Sequence, residues 1–289
     1  MTIRRPLNRA TLLAPGIALA AVAALGVAAP TLAAPTGHPS HATAPRAATK
    51  PTIVLVHGAW ADSSSFTPVI ERLQHDGYTV LSAPNPLRSL VDDAANVAAF
   101  VNQATTGPVV LVGHSYGGSV ITDAATQIPR VQALVYVDAY APAKGESVFS
   151  LTAAKPGSAF AVPDPSTVFD FVQYPNAEDG DVDTYVKRAL FPKIFAAKLP
   201  AAQAKVLAAT QQPVALHALQ DALAVDPAWE TIKSYFFVGT KDKVLPPAEQ
   251  IAMADRAHGV IVKRQVDHLA ILEAPKPITA LIEKAAGAR

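Results

Sequence analysis

Runs of consecutive apolar, largely β-branched residues alternate along the chain with segments in which apolar positions recur every three or four residues. The apolar runs lie at 52–56, 109–112 and 131–137, and the more mixed stretches 78–83, 233–238 and 260–266, the last carrying Lys263, Arg264 and Gln265, complete a set of six predicted strands. Unbroken apolar runs of this length read as strands buried on both faces. Helices are predicted between them, the first starting from possible N-caps at 62–65 and ending near Gly77. The others cover 90–105, 119–127, 247–257 and 275–286. Strands that alternate with helices make parallel pairs joined by right-handed crossovers. The pattern therefore predicts an α/β fold with a mostly parallel six-stranded sheet and helices on both faces. Between residues 142 and 213 the alternation stops, and prolines and aromatics (Phe149, Phe160, Phe169, Phe171, Tyr174, Tyr185, Phe191, Phe195) take over. This stretch is far longer than a simple crossover needs, so 143–213 is expected to be a lid inserted between core segments 52–142 and 214–289.

The N-terminal region carries a different pattern. Arg4, Arg5 and Arg9 precede a nearly unbroken Ala-rich apolar run, and small residues follow at 31–34. That layout is expected of a secretory signal peptide over 1–34, with cleavage rather than a lasting membrane anchor. The export route is left open by an imperfect twin-arginine pattern. Residues 35–51, rich in Pro, Ala, Thr and His, read as a disordered linker.

Composition narrows the function. Removing the three leader arginines leaves 21 basic residues against 23 acidic ones, a net charge of −2. No basic stripe survives, so nucleic acid is not an expected partner. With no cysteine in the chain, disulfides, thiol catalysis and Cys-ligated zinc are excluded. No cofactor or metal site is expected.

The chemistry concentrates after the third apolar run, where Gly113-His114-Ser115-Tyr116-Gly117 opens a helical pattern. A nucleophile on a strand-to-helix corner needs neighbours with almost no side chain, and the helix aims its free N–H groups at the developing charge. Ser115 needs a base, and the mature chain offers His57, His75, His114, His217, His258 and His268. Sites in parallel sheets gather at the carboxyl ends of the strands, and His268 stands just beyond the last one. Asp242, after the fifth strand, is the expected carboxylate, with Asp138 after the fourth as its rival. The Ser–Asp–His chain order matches a known arrangement. Asp267 is expected to be a loop residue. The N–H groups of Tyr116 and Ala59 are the expected oxyanion donors, with Trp60 in the pocket wall.

Together the stretches Val54-Leu55-Val56-His57-Gly58-Ala59-Trp60, Gly113-His114-Ser115-Tyr116-Gly117-Gly118, Gly239-Thr240-Lys241-Asp242 and Asp267-His268-Leu269-Ala270 resemble the α/β-hydrolase superfamily. Within it the chain is similar to small lid-bearing esterases, the plant methyl-ester hydrolases and their hydroxynitrile-lyase relatives. The resemblance implies a cofactor-free serine carboxylesterase; the leader adds the expectation of secretion, and the lid aromatics that of small or medium apolar esters. Where the lyase relatives carry a lysine after the catalytic histidine, this chain has Leu269, which points to hydrolysis rather than cyanohydrin cleavage. The alternatives are a perhydrolase or lyase on the same triad, and a non-catalytic protein that binds a small ligand on the same fold.

Overall fold

The computed structural model describes residues 49–177 and 180–287. The expected signal peptide and all but the last residues of the expected linker lie outside the described residues.

The first half of the fold runs β1 (Thr52–Val56), α1 (Thr67–His75), β2 (Val80–Ser82), α2 (Leu90–Ala104), β3 (Val109–His114), α3 (Tyr116–Ala124) and β4 (Val131–Val137). A long excursion follows, containing α4 (Val148–Ala154), β5 (Phe169–Val172), β6 (Asp183–Val186), α5 (Phe191–Ile194), α6 (Ala201–Ala209), β7 (Val214–Ala215) and α7 (Leu216–Gln220). The chain then returns through β8 (Ser234–Gly239), α8 (Pro247–Arg256), β9 (Val260–Arg264), α9 (Ala270–Glu273) and α10 (Pro275–Ala286).

The main sheet has the order β2-β1-β3-β4-β8-β9, and every neighbouring pair is parallel. Because successive side chains leave opposite faces of a strand, the apolar runs feed two cores. Ile53, Leu55, Val110, Val112, Val135 and Phe237 face α1 and α10, meeting Phe66, Leu73, Ile278 and Ile282. Val54, Val56, Leu111, Tyr136 and Phe236 face α2, α3 and α8, meeting Val97, Val120 and Met253. Two covered faces explain the apolar character of the inner strands β1, β3, β4 and β8, while the edge strands β2 and β9 are only half-buried and β9 ends in exposed Lys263 and Arg264.

The order reverses between β1 and β3, which makes the crevice at their carboxyl ends the topological switch point of the sheet. The loop after β1 and the corner after β3 both open into it. The corner is tight. A Cβ on Gly113 would lie 2.5 Å from the Gly117 carbonyl oxygen, and one on Gly117 would strike the Val56 carbonyl and come 2.8 Å from that of His57. These obstacles are backbone, so nothing can yield. Gly117→Ala should therefore cost about 1–3 kcal/mol and lower Tm by roughly 2–4 °C per kcal/mol. Gly107→Ala, where nothing lies within 4 Å of the added carbon, is the control in the same thermal melt and should leave Tm unchanged.

Several elements differ from the reading of the pattern. The predicted first helix divides: Asp62 caps a 3-10 turn, Ser63–Phe66, by accepting from Ser64 N at 2.7 Å, and α1 follows. The helix after Ser115 starts at Tyr116, three residues before the expected start, because the two glycines pack inside its first turn. The excursion holds an antiparallel three-stranded sheet, β5-β6-β7, which prolines and aromatics did not reveal. Since β7 pairs with β6 at Val214 and Ala215, the excursion runs past the expected boundary at 213.

Candidate active site

Ser115 stands between β3 and α3 with φ 53° and ψ −124°, a left-handed conformation that favours glycine. The surrounding backbone holds it there. Its N–H donates to the Val137 carbonyl at 3.3 Å, and its own carbonyl accepts from Gly118 N at 2.9 Å and Tyr140 N at 3.2 Å. The strained corner aims the hydroxyl into the crevice at the head of α3.

The loops after β8 and β9 supply the partners. Backbone pairing continues past both strands, through Thr240 N to the Arg264 carbonyl (2.7 Å) and Lys241 N to that of Val266 (3.1 Å). Asp242 and His268 thereby meet although 26 residues separate them. His268 Nδ1 lies 2.8 Å from Asp242 Oδ2, and His268 Nε2 lies 2.9 Å from Ser115 Oγ. All three residues are buried, His268 completely. The ring of Phe195, from the excursion, stands edge-on to the His268 imidazole at 5.0 Å and shields it from water.

Each member has a support that the sequence pattern did not reveal. Asp242 Oδ1 accepts from Val244 N (2.7 Å) and Leu245 N (3.0 Å), while Oδ2 also accepts from Gln250 Nε2 at 2.8 Å. Four donors thus converge on one buried carboxylate. His114 Nε2–H donates to the His268 carbonyl at 2.9 Å. Burial pushes the His114 pKa down to about 3, so this latch is a neutral imidazole. Nothing in the spacing of Gln250 or His114 signals either role.

The other sequence candidates sit elsewhere. Asp138 is fully buried, and its Oδ1 accepts from Gly239 N at 2.5 Å. Burial, reinforced by the neighbouring Asp242 charge, holds its carboxyl well above the usual range. His57 Nδ1–H donates to the Gly58 carbonyl at 3.1 Å. The His217 imidazole lies 3.8 Å from Asp181, His75 pairs with Asp76 at the surface, and His258 ends the turn after α8. Asp267 is a buried loop residue whose N–H donates to Glu273.

Ala59 and Tyr116 lie beside Ser115 in the wall of one cavity of about 460 Å³. Neither backbone N–H has an acceptor among the described residues. Trp60 forms part of the same wall, anchored by its Nε1–H to the Thr184 carbonyl at 3.0 Å and stacked on Phe169 at 5.4 Å. Phe149, Phe160, Phe169, Phe171, Leu216 and Leu219 complete a predominantly apolar lining, with no Lys, Arg, Asp or Glu among the lining residues. The aromatics of the excursion therefore do two jobs, since Phe191 and Phe195 stack on each other at 4.8 Å within it. No group of His, Asp and Glu able to hold a metal occurs among the described residues.

Behind Tyr116 lies one further buried acid. Its hydroxyl donates to Asp93 Oδ2 at 2.7 Å, and burial raises the Asp93 pKa to about 6. A carboxyl with a raised folded-state pKa stabilises the fold fully below its unfolded value of 3.8 and loses that contribution as pH rises through about 6. Across pH 4 to 7 this group should remove on the order of 2–3 kcal/mol of stability. Urea unfolding at both pH values should show the loss, and Asp93→Asn should abolish that part of it.

A strand-corner serine, an aspartate and a histidine from the loops after the last two strands of the sheet, and an excursion covering them form a known constellation. The model of the alpha/beta hydrolase family matches residues 53–281. The chain belongs to that family. This alpha/beta hydrolase is 34% identical over 113 residues to a carbendazim hydrolyzing esterase of Nocardioides sp. (strain SG-4G). That alignment covers 34% of this chain and 46% of the relative, so it spans about half of that protein's length. Among solved structures, polyneuridine aldehyde esterase superposes with a TM-score of 0.69 at 18% identity, covering 82% of this chain and 99% of that one. An Arabidopsis methylesterase gives a TM-score of 0.66 at 16% identity, covering 81% and 98%. At these identities the structural likeness is one of fold.

Proposed function

We propose that this alpha/beta hydrolase is a serine carboxylesterase, exported after loss of residues 1–34, that cleaves small or medium apolar esters. The observation that carries the reading is the continuous chain from Ser115 Oγ through His268 to Asp242, buried at the wall of the apolar cavity. In the first step His268 Nε2 takes the hydroxyl proton as Ser115 Oγ attacks the ester carbonyl carbon. Asp242 holds the tautomer that leaves Nε2 free to accept, and balances the imidazolium that forms. The N–H groups of Ala59 and Tyr116, unpaired and beside the serine, receive the oxyanion, and α3 adds its positive end. His268 then gives the proton to the departing alcohol, and water cleaves the acyl-enzyme by the same route in reverse.

The cavity supports the choice of substrate. Its 460 Å³ lies in the lower half of the range for small-molecule sites. A charged substrate would enter such a lining without a counter-charge, at a high desolvation cost. The esterase names of the relatives point the same way.

A series of p-nitrophenyl esters of rising acyl length tests the reading. Turnover should peak at short to medium chains, and a carboxylate on the acyl group should reduce kcat/KM at least tenfold. A fluorophosphonate should label Ser115 stoichiometrically. A chain that neither labels nor turns over any ester is a binding protein instead. Export is checked separately: N-terminal sequencing of protein recovered from culture medium should begin near residue 35.

A further inference from the structure

Both proposed oxyanion donors are tied to one short segment that carries none of the triad. It runs from the end of β2 into the first turn of α2. On one side Asn85 Nδ2 donates to the His57 carbonyl at 2.9 Å, two residues ahead of the Ala59 donor. On the other, Asp93 Oδ2 accepts from the Tyr116 hydroxyl at 2.7 Å, and Tyr116 carries the second donor on its own backbone. The two arms also touch each other: a Cβ on Gly117 would lie 2.8 Å from the same His57 carbonyl that Asn85 holds. Asn85, Asp93 and Tyr116 are all buried.

The segment is itself pinned. Asp93 Oδ1 accepts from Arg88 N at 3.2 Å, and Leu87, with φ 62°, gives its carbonyl to Ala215 N in β7 at 3.0 Å. Arg88 reaches Asp183 of β6 at 2.7 Å, and Leu90 N donates to Asp221 at 3.0 Å. A polar frame fixed at so many points is stiff, and stiffness is what preorganised donors require.

The geometry points to Asn85 and Asp93 as positioning residues that set the spacing of the Ala59 and Tyr116 N–H groups for the oxyanion. The inference rests on the serine-esterase reading. A positioning pair of this kind acts on the transition state and leaves ground-state binding alone, because the ester carbonyl before attack carries little charge.

The test measures kcat, KM, Tm and the affinity for a phenyl trifluoromethyl ketone, which forms a tetrahedral serine adduct with a charged oxygen. Asn85→Ala and Tyr116→Phe should each lower kcat about 10- to 100-fold. KM should stay within about twofold, and ketone affinity should fall in proportion to kcat. Asp93→Asn should keep kcat within about threefold, since the Tyr116 hydroxyl can turn and accept from the amide. Tyr116→Phe removes a single oxygen and leaves the ring packed, so it remains readable if Asn85→Ala unfolds. Wild-type kcat with a lowered Tm in folded variants means these bonds serve the fold alone, and overturns the inference. Equal losses in kcat with unchanged ketone affinity also overturn it. Failure of the underlying reading looks different, because it appears in wild type and Ser115→Ala before any frame variant is measured.

Discussion

Ser115→Ala should lower kcat/KM for p-nitrophenyl butyrate by about 10³-fold or more while leaving a folded protein with near-native Tm. The expectation follows from what the hydroxyl touches. Its Oγ is 2.9 Å from His268 Nε2, and no second serine or threonine hydrogen-bonds that nitrogen among the described residues. Truncation removes one oxygen from a buried corner and leaves the backbone bonds of residue 115 intact, so stability is spared. The residual rate would come from the unpaired N–H groups of Ala59 and Tyr116 polarising a bound ester toward water. Turnover within tenfold of wild type would show that another group attacks.

The second large effect separates Asp242, which chain order and loop position favour, from its rival Asp138. Asp242→Asn should reduce kcat by roughly 10⁴-fold, and Asp138→Asn by less than about threefold. Around Asp242 every neighbour is a donor: Val244 N, Leu245 N, Gln250 Nε2 and His268 Nδ1. An amide has one acceptor oxygen and an NH₂ group, so one of its ends must face donors with a donor. If that end faces His268, the imidazole turns to the tautomer that protonates Nε2 and can no longer take the serine proton. Stability should fall as well, by about 1–3 kcal/mol for the buried clash. Burial and the neighbouring Asp242 charge already hold the Asp138 carboxyl well above the usual range. The oxygen of an amide in its place can still accept from Gly239 N, and the substitution leaves the Asp242–His268 contact untouched. A reversed pair of kcat values would make Asp138 the functional acid.

How far these residues could be read from the chain depends on how local their signals are. The strand runs announced themselves because burial on both faces removes polar alternation, and the run at 131–137 matches β4 residue for residue. Boundaries slipped where a cap or a close approach decided them, as at α3, whose first turn admits Gly117 and Gly118 only because backbone crowds them. The three-stranded sheet of the excursion was invisible, since strands of two to four residues carry too short a pattern to register. Ser115 and His268 were legible from motif and topology. Gln250, His114, Asn85 and Asp93 were not, because each acts through a single bond to a residue distant in sequence, and such a bond leaves no period or spacing behind.

By itself the sequence determined the layered α/β architecture, the serine at the corner after the third strand, and a histidine and an aspartate beyond later strands in a set order. Those are consequences of periodicity and strand ends, which are local properties. Only the tertiary structure decided which aspartate meets the imidazole, which aromatics wall the cavity and which supply the shield, and what holds the two free N–H groups side by side. These depend on loops meeting across a sheet, where hydrogen-bond geometry at about 3 Å selects among partners that sequence order can rank but cannot bring into contact.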